Sequence, residues 1–317
     1  MITLNRQEIE ALIDLPKMAN AVEEAYKAAS AGIVNLPPVG HITFPDLSAD
    51  CHIKYGHLYG QSNFVIKVAT GFPHNSENGQ ATGNGLVLLL SALSGEVSAV
   101  LHDEMLLTDV RTGLGGVIAS RTLARQDARN ILIVGTGAQV RWQIEAHKTL
   151  MPQLTHFELW GRNTERADQA VSNASGICEV RRVTDLEKAV ENADVIVTAT
   201  GSTQPIIQSR WVQDGTHITA IGADAPGKQE LDVELVARAG CLVVDLVSQC
   251  VDHGEVSHAV GSQRIDKSRL LELGQMLDNP TLGRVNDTQV TIADLTGIAA
   301  QDIAISNAVL DLFKYKK

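Results

Sequence analysis

The chain has 317 residues, 44% of them hydrophobic and 4% aromatic, with 26 basic against 37 acidic side chains and a formal net charge of −11. That is enough polypeptide for about two domains with a sizeable core, and the mixture of apolar and charged residues excludes a disordered or fibrous chain. The acidic balance argues against nonspecific binding to nucleic acid or anionic membrane and directs attention to a small-molecule partner.

From Asn5 to about Ala31, the residues Ile9, Leu12, Ile13, Met18, Val22, Ala25 and Tyr26 recur at helical spacing, with Pro16 and Asn20 as interruptions, so two short helices are expected. Between Val39 and Val100 the apolar segments are short and separated by Gly, Pro and Asn, which predicts a mostly antiparallel sheet with turns at HNSENG and LSGE. One of those segments, FVIKVAT, places Lys67 in an apolar run just ahead of Gly71, Pro73 and Asn75. A buried, unpaired ammonium group costs several kcal/mol, so Lys67 either snorkels from an edge or has an anionic partner. LTDVRTGLGGVIASRTLA, 107–124, then reads as a helix of small residues capped by Thr108.

From Asn130 the pattern changes to alternating strands and helices, with near-continuous apolar strands such as NILIV, VIVT and CLVV, the mark of a parallel sheet covered on both faces. The expected fold class is α/β, with a Rossmann-type doubly wound domain at 116–290 and a split α+β substrate-binding and dimerisation domain built from 1–115 with 291–317. The final stretch reads as one strand and one long amphipathic helix that return to that split domain.

ILIVGTGAQVRWQI sets Gly135 and Gly137 between an apolar strand and a helix, where a tight turn lets backbone N–H groups approach a pyrophosphate at the positive end of the helix dipole. Val140 replaces the third glycine of the usual fingerprint. The next strand, FELWGRNTER, ends in Arg162 and Asn163 rather than an acid, followed by Thr164 and Arg166, which favours the 2′-phosphate of NADP(H) while leaving NAD(H) open. Cys51, Cys178, Cys241 and Cys250 form no CxxC pair, and neither HDE at 102–104 nor DHGEVSH at 252–258 has metal-ligand spacing, so reduced thiols and no metal are expected. No apolar run reaches membrane-span length and no signal pattern opens the chain, so a cytoplasmic protein is expected.

Taken together, KVATGFPHN at 67–75, LTDVRTGLGG at 107–116, ILIVGTGAQ at 131–139, ADVIVTATGSTQP at 193–205, IGADAPGKQELD at 221–232, GEVSHA at 254–259 and TGIAAQD at 296–302 resemble the ornithine cyclodeaminase/mu-crystallin family over nearly the whole chain. The resemblance implies a homodimer. It also implies that Lys67 and Arg111 face the substrate carboxylate and reacting nitrogen, that Asp224 is the acid/base, and that Thr112, Gly135, Gly137, Ala138, Gln139, Arg162, Asn163, Thr164, Thr200, Gly222 and Thr296 line the cofactor. An arginine fork and a lysine suit a planar carboxylate.

The chain departs from the pattern twice. Ornithine cyclodeaminases carry a glutamate thirteen residues ahead of the lysine, where this chain has Lys54, and an arginine after the LPP segment, where His41 is the nearest substitute. A lysine near a substrate ammonium repels it by roughly 4 kcal/mol at 4 Å and an effective dielectric of 20, provided that Lys54 points inward. The expected activity is therefore NADPH-dependent reduction of a small α-imino acid, as in a Δ1-pyrroline-2-carboxylate reductase; the alternatives are a redox-neutral ornithine cyclodeaminase and a mu-crystallin-like NADPH-dependent ligand-binding protein.

Overall fold

The computed structural model of the protein describes residues 1–316, the side chain of Ser76 excepted. The chain forms two compact units, Met1–Arg111 with Ile298–Lys317, and Thr112–Gly297.

The first unit is built on a seven-stranded sheet. Its long strands Ala49–Leu58, Asn63–Gly71, Gly83–Ser91 and Val97–His102 are antiparallel neighbours, Ile2–Asn5 adds a parallel edge beside Val97–His102, and Val34–Asn35 and Gly40–Phe44 both pair with Ala49–Leu58. Along Asn63–Gly71 the odd positions from Asn63 to Ala69 are buried and the even ones half-buried, the alternation of a sheet with one covered face. The C-terminal helix Ala299–Tyr315 covers the odd face, and Leu15–Ser30 packs against that helix. Pro16 starts Leu15–Ser30 rather than interrupting it: it lies in the first turn, where its missing N–H is not needed, and Asp14 caps the helix by accepting from the Lys17 N–H at 3.1 Å. Asn20 is exposed within the helix.

The helix Leu106–Leu123 begins two residues ahead of Thr108, so the cap lies elsewhere than expected. Asp103 does that work, its Oδ2 accepting from the Leu107 N–H at 3.0 Å, and the Thr108 hydroxyl is left for another partner. Two consecutive non-glycine residues, Glu104 at φ 49° and Met105 at φ 70°, form the turn into this helix, a strained conformation held by its surroundings.

The second unit carries an eight-stranded, wholly parallel sheet in the order Val180–Arg182, His156–Trp160, Asn130–Val134, Val195–Thr198, His217–Ala220, Thr291–Asp294, Cys241–Val244, Leu270–Glu272. Successive strands run one way from Asn130–Val134 and the other way from Val195–Thr198, with Thr291–Asp294 inserted out of chain order, which makes this a doubly wound fold with its switch point between those two strands. Thr291–Asp294 corrects the expected boundary at 291. It sits inside the parallel sheet between His217–Ala220 and Cys241–Val244, every residue buried, and the chain rejoins the first unit only at Ile298. A run of four residues buried on both faces suits a central strand of a covered sheet better than a one-sided sheet.

Candidate active site

The odd face of Asn63–Gly71 brings Lys67 under the C-terminal helix. Lys67 is only 3% exposed, and its Nζ donates to Asp302 Oδ1 at 2.8 Å and to Thr108 Oγ1 at 3.0 Å. Arg111, one turn beyond Thr108, brings its Nε to 3.3 Å from the same carboxylate oxygen. Gln301 steadies this arrangement by donating to the Arg111 carbonyl at 3.1 Å. The question raised by a lysine inside an apolar strand thus has an internal answer, because the chain supplies the counterion itself.

Burial pushes the Lys67 ammonium toward the neutral form; Asp302 opposes that shift, and Arg111 adds to it. Burial also pushes the Asp302 carboxyl up, yet Lys67, Arg111 and Lys54 together hold it below the usual carboxylate range. Lys54 is the direct cross-strand partner of Lys67, so both side chains leave the sheet on the same face. Three basic groups therefore surround the Asp302 carboxylate; the buried Asp103 carboxyl also faces Lys67 and Asp302, and burial pushes it up, toward its neutral form. Asp302 Oδ2 is buried and accepts no hydrogen bond, which leaves an acceptor for an N–H group.

Asp302 was not among the expected site residues. Its signal lay in the sequence: an acid in line with Ile298, Ile305 and Val309 on the apolar stripe of the last helix. His41 pairs across the strands with His52 and stacks on it, with ring centroids 4.4 Å apart, so it belongs to the same sheet face as Lys54. Asp224 lies in the second unit, half-exposed, with its carboxylate ion-paired to Lys228.

In the second unit the glycine turn has the shape a dinucleotide needs. Gly135 has φ 142° and donates to the Trp160 carbonyl at 2.9 Å, and a Cβ there would lie 2.5 Å from the Ala199 carbonyl oxygen. A Cβ on Gly137 would meet nothing within 4 Å, so the space beside the turn is open. Ala138 and Gln139 lead into the helix Gln139–Leu150, whose N-terminus follows the turn. Gly113 and Gly116 let the preceding helix press against Trp142 and Gln143, and Gln143 donates to the Thr112 carbonyl at 3.1 Å. At the end of the next strand, Asn163 caps Thr164–Ala174 by accepting from the Arg166 N–H at 2.9 Å. Arg162, Thr164 and Arg166 are exposed there.

Buried acids that the sequence reading passed over hold the remaining loops. Glu230 accepts from Thr198 Oγ1 at 2.7 Å, the Thr200 N–H at 2.6 Å and the Gly222 N–H at 2.9 Å, and so ties together the two loops that carry Thr200 and Gly222. Burial pushes its carboxyl up, against those three donors. Glu255 accepts from the Glu230 and Leu231 N–H groups at 2.7 and 2.9 Å. Asp245 accepts from the Gly297 N–H at 2.6 Å and from the Thr296 hydroxyl at 3.1 Å, so that hydroxyl is engaged within the protein. Within DHGEVSH, His258 bonds the Lys228 carbonyl at 2.8 Å and Glu255 is committed to backbone amides.

Comparison with known proteins agrees with this architecture. The model of the ornithine cyclodeaminase/mu-crystallin family matches residues 1–317. The alanine dehydrogenase of Archaeoglobus fulgidus is 34% identical over 314 residues, 98% of this chain and 94% of that protein. The iminosuccinate reductase of Paracoccus denitrificans is 33% identical over 326 residues, 100% of this chain and 98% of its own. Its structure in complex with NAD+ matches with a TM-score of 0.89 at 29% identity, covering 100% and 97% of the two chains. An archaeal alanine dehydrogenase dimer with bound NAD matches with a TM-score of 0.90 at 32% identity, again covering 100% and 97%. The Δ1-pyrroline-2-carboxylate reductase of Bacillus cereus is 29% identical over 311 residues, 96% of this chain and 94% of its own. With a doubly wound unit, a split partner unit and a family match along its full length, this chain belongs to the ornithine cyclodeaminase/mu-crystallin family.

Proposed function

We propose that the protein is an NAD(P)-dependent reductase of a small α-imino acid. The observation that carries this reading is the buried group of Lys67, Arg111 and Asp302, in which two basic side chains converge on one carboxylate that keeps one oxygen unused. Lys67 and Arg111 grip the substrate carboxylate, and the free Asp302 oxygen accepts from the N–H of the protonated imine, which orients the C=N bond. Bound NAD(P)H supplies the hydride that adds to the imine carbon. The proton that nitrogen takes up comes from solvent, relayed through Asp224 or Lys67, so that with the hydride on carbon the product is the amino acid. The iminosuccinate and Δ1-pyrroline-2-carboxylate reductases among the relatives support this class of substrate.

Gly135, Gly137, Ala138 and Gln139 hold the pyrophosphate, with Thr112, Asn163, Thr164, Thr200, Gly222 and Thr296 along the remainder of the cofactor. Among the described residues, the exposed side chains of Arg162 and Arg166 pair with no carboxylate, which favours the 2′-phosphate of NADP(H), with NAD(H) as a second cofactor. The register of Lys54 opposite Lys67 disfavours ornithine, whose terminal ammonium would meet a cation. A panel of cyclic and linear α-imino acids assayed with NADPH and NADH tests the proposal. Cofactor oxidation with at least one imine, lost in Lys67→Ala, is the expected result; ornithine turnover with ammonia release and no net cofactor oxidation would replace it with the cyclodeaminase reading.

A homodimer accompanies this function. The sheet face opposite Lys67 exposes Ile42, Phe44, Tyr55 and Val97, an apolar surface suited to a second copy, and the archaeal alanine dehydrogenase relative is a dimer. Four free cysteines suit a reducing compartment such as the cytoplasm, and among the described residues no helix is long and apolar enough to cross a membrane.

A further inference from the structure

At the outer end of the same sheet face lie three side chains that the proposed reaction leaves largely unused. His41 and His52 are direct cross-strand partners, and Asp50 precedes His52 by two residues, so all three project from one face of the two-stranded edge. Asp50 Oδ2 lies 3.3 Å from His52 Nε2 and 3.9 Å from His41 Nε2, and the three ligand atoms all lie within 4.8 Å of one another. Four ligands held tetrahedrally at zinc-ligand bond lengths are separated by about 3.3 Å, so His41 must turn out of its stack on His52 for both ring nitrogens to converge on one ion. The opposite strand leaves room for the carboxylate: Gly71 faces Asp50 in the register, and a Cβ there would lie 3.0 Å from Asp50 Oδ1.

We propose that His41, Asp50 and His52 form a binding site for one divalent transition-metal ion, typified by Zn2+. Two imidazole nitrogens and one carboxylate oxygen select zinc, cobalt or nickel over magnesium and calcium, which prefer all-oxygen sites. Each histidine binds through Nε2 with the proton on Nδ1, and water or a carboxylate from a bound ligand completes the sphere. The expectation of no metal rested on spacings along the chain, and a ligand set assembled across two strands has no such spacing. Asp50, His52 and Lys54 alternate on this face, so a bound ion extends the row of positive charge that begins at Lys67 and Lys54. The proposal stands on strand register and does not depend on the imine-reductase reading.

The test uses the full chain, stripped with a chelator and titrated with Zn2+ by calorimetry, and with Co2+ followed by visible absorption. The expected result is one equivalent of Zn2+ per chain, with affinity reduced at least tenfold in His41→Ala, Asp50→Asn and His52→Ala and kept in His74→Ala, which removes an exposed histidine paired elsewhere with Glu77. In His52→Cys, bound Co2+ should gain a thiolate charge-transfer band that the wild-type chain, with its four native cysteines, lacks. Zn2+ binding that is absent, that survives all three substitutions, or that is matched by Mg2+ would overturn the site and leave two stacked imidazoles sharing a carboxylate.

Discussion

Replacing Asp302 by Asn removes one charge while keeping its size and an acceptor oxygen, so it isolates the electrostatic part of the buried cluster. Lys67 Nζ and Asp302 Oδ1 are 2.8 Å apart with both side chains almost fully buried. At an effective dielectric of about 20 their attraction is about 6 kcal/mol. The loss cannot reach that value, because Lys67 can release its proton instead. At pH 7 that release costs about 5 kcal/mol relative to an unfolded lysine of pKa about 10.4. With Arg111 still beside it, the lysine takes this route, and the expected destabilisation is about 3–5 kcal/mol.

The pH dependence is more diagnostic than the magnitude. In the variant, the native lysine is neutral while the unfolded chain holds the proton, so the variant gains about 1.4 kcal/mol per pH unit relative to wild type as pH rises above 7. The gain stops where wild-type Lys67 begins to lose its own proton. Guanidinium unfolding at a series of pH values, with hydrogen exchange of the Asn63–Gly71 amides to report on the first unit separately, measures both quantities. A gap below about 1 kcal/mol, or one that stays constant with pH, would refute the claim that these two groups form a buried pair.

Other expectations follow from the second unit. Burial raises the Asp294 carboxyl to about 8, helped by Asp245 and Glu230 and opposed by the Val256 N–H. Its native state holds a proton that the unfolded chain gives up near pH 4, so wild-type stability falls relative to Asp294→Asn by up to about 1.4 kcal/mol per pH unit between pH 4 and 8. Parallel denaturation curves across that range would contradict the raised value. Glu230→Gln turns an amide N–H toward donors now satisfied by carboxylate oxygens; a tenfold or greater loss in NADPH affinity by fluorescence titration is expected, about 1–3 kcal/mol. Gly135→Ala forces a Cβ against the Ala199 carbonyl and should lower the melting temperature. Gly137→Ala has open space and should leave the melting temperature unchanged while weakening dinucleotide binding; equal effects of the two on stability would argue against the turn as described.

Much of the doubly wound unit was legible because its strands announce themselves as continuous apolar runs, and Gly135 and Gly137 punctuate the first of them. The small strands Thr203–Ile207 and Gln229–Leu231 were not, since three- to five-residue edges carry little periodic signal. Thr291–Asp294 was assigned to the wrong unit because a buried strand looks the same in either sheet until its neighbours are known. Lys67 and Arg111 could be singled out as unusual cations, and the structure places them on one carboxylate. Which carboxylate that would be depends on a pairing 235 positions long, which no local pattern encodes. The direction of Lys54 was equally hidden, because parity counts only within a strand and the turn at 59–62 resets it.

That long pairing also imposes an order on biosynthesis. While the ribosome is still making the intervening unit, the N-terminal sheet already contains the residue that becomes its buried ammonium, yet the matching anion has not been translated. The nascent sheet must therefore keep this face hydrated or loosely closed until the final helix emerges, so a chain shortened by that helix would leave a cation with nowhere dry to settle.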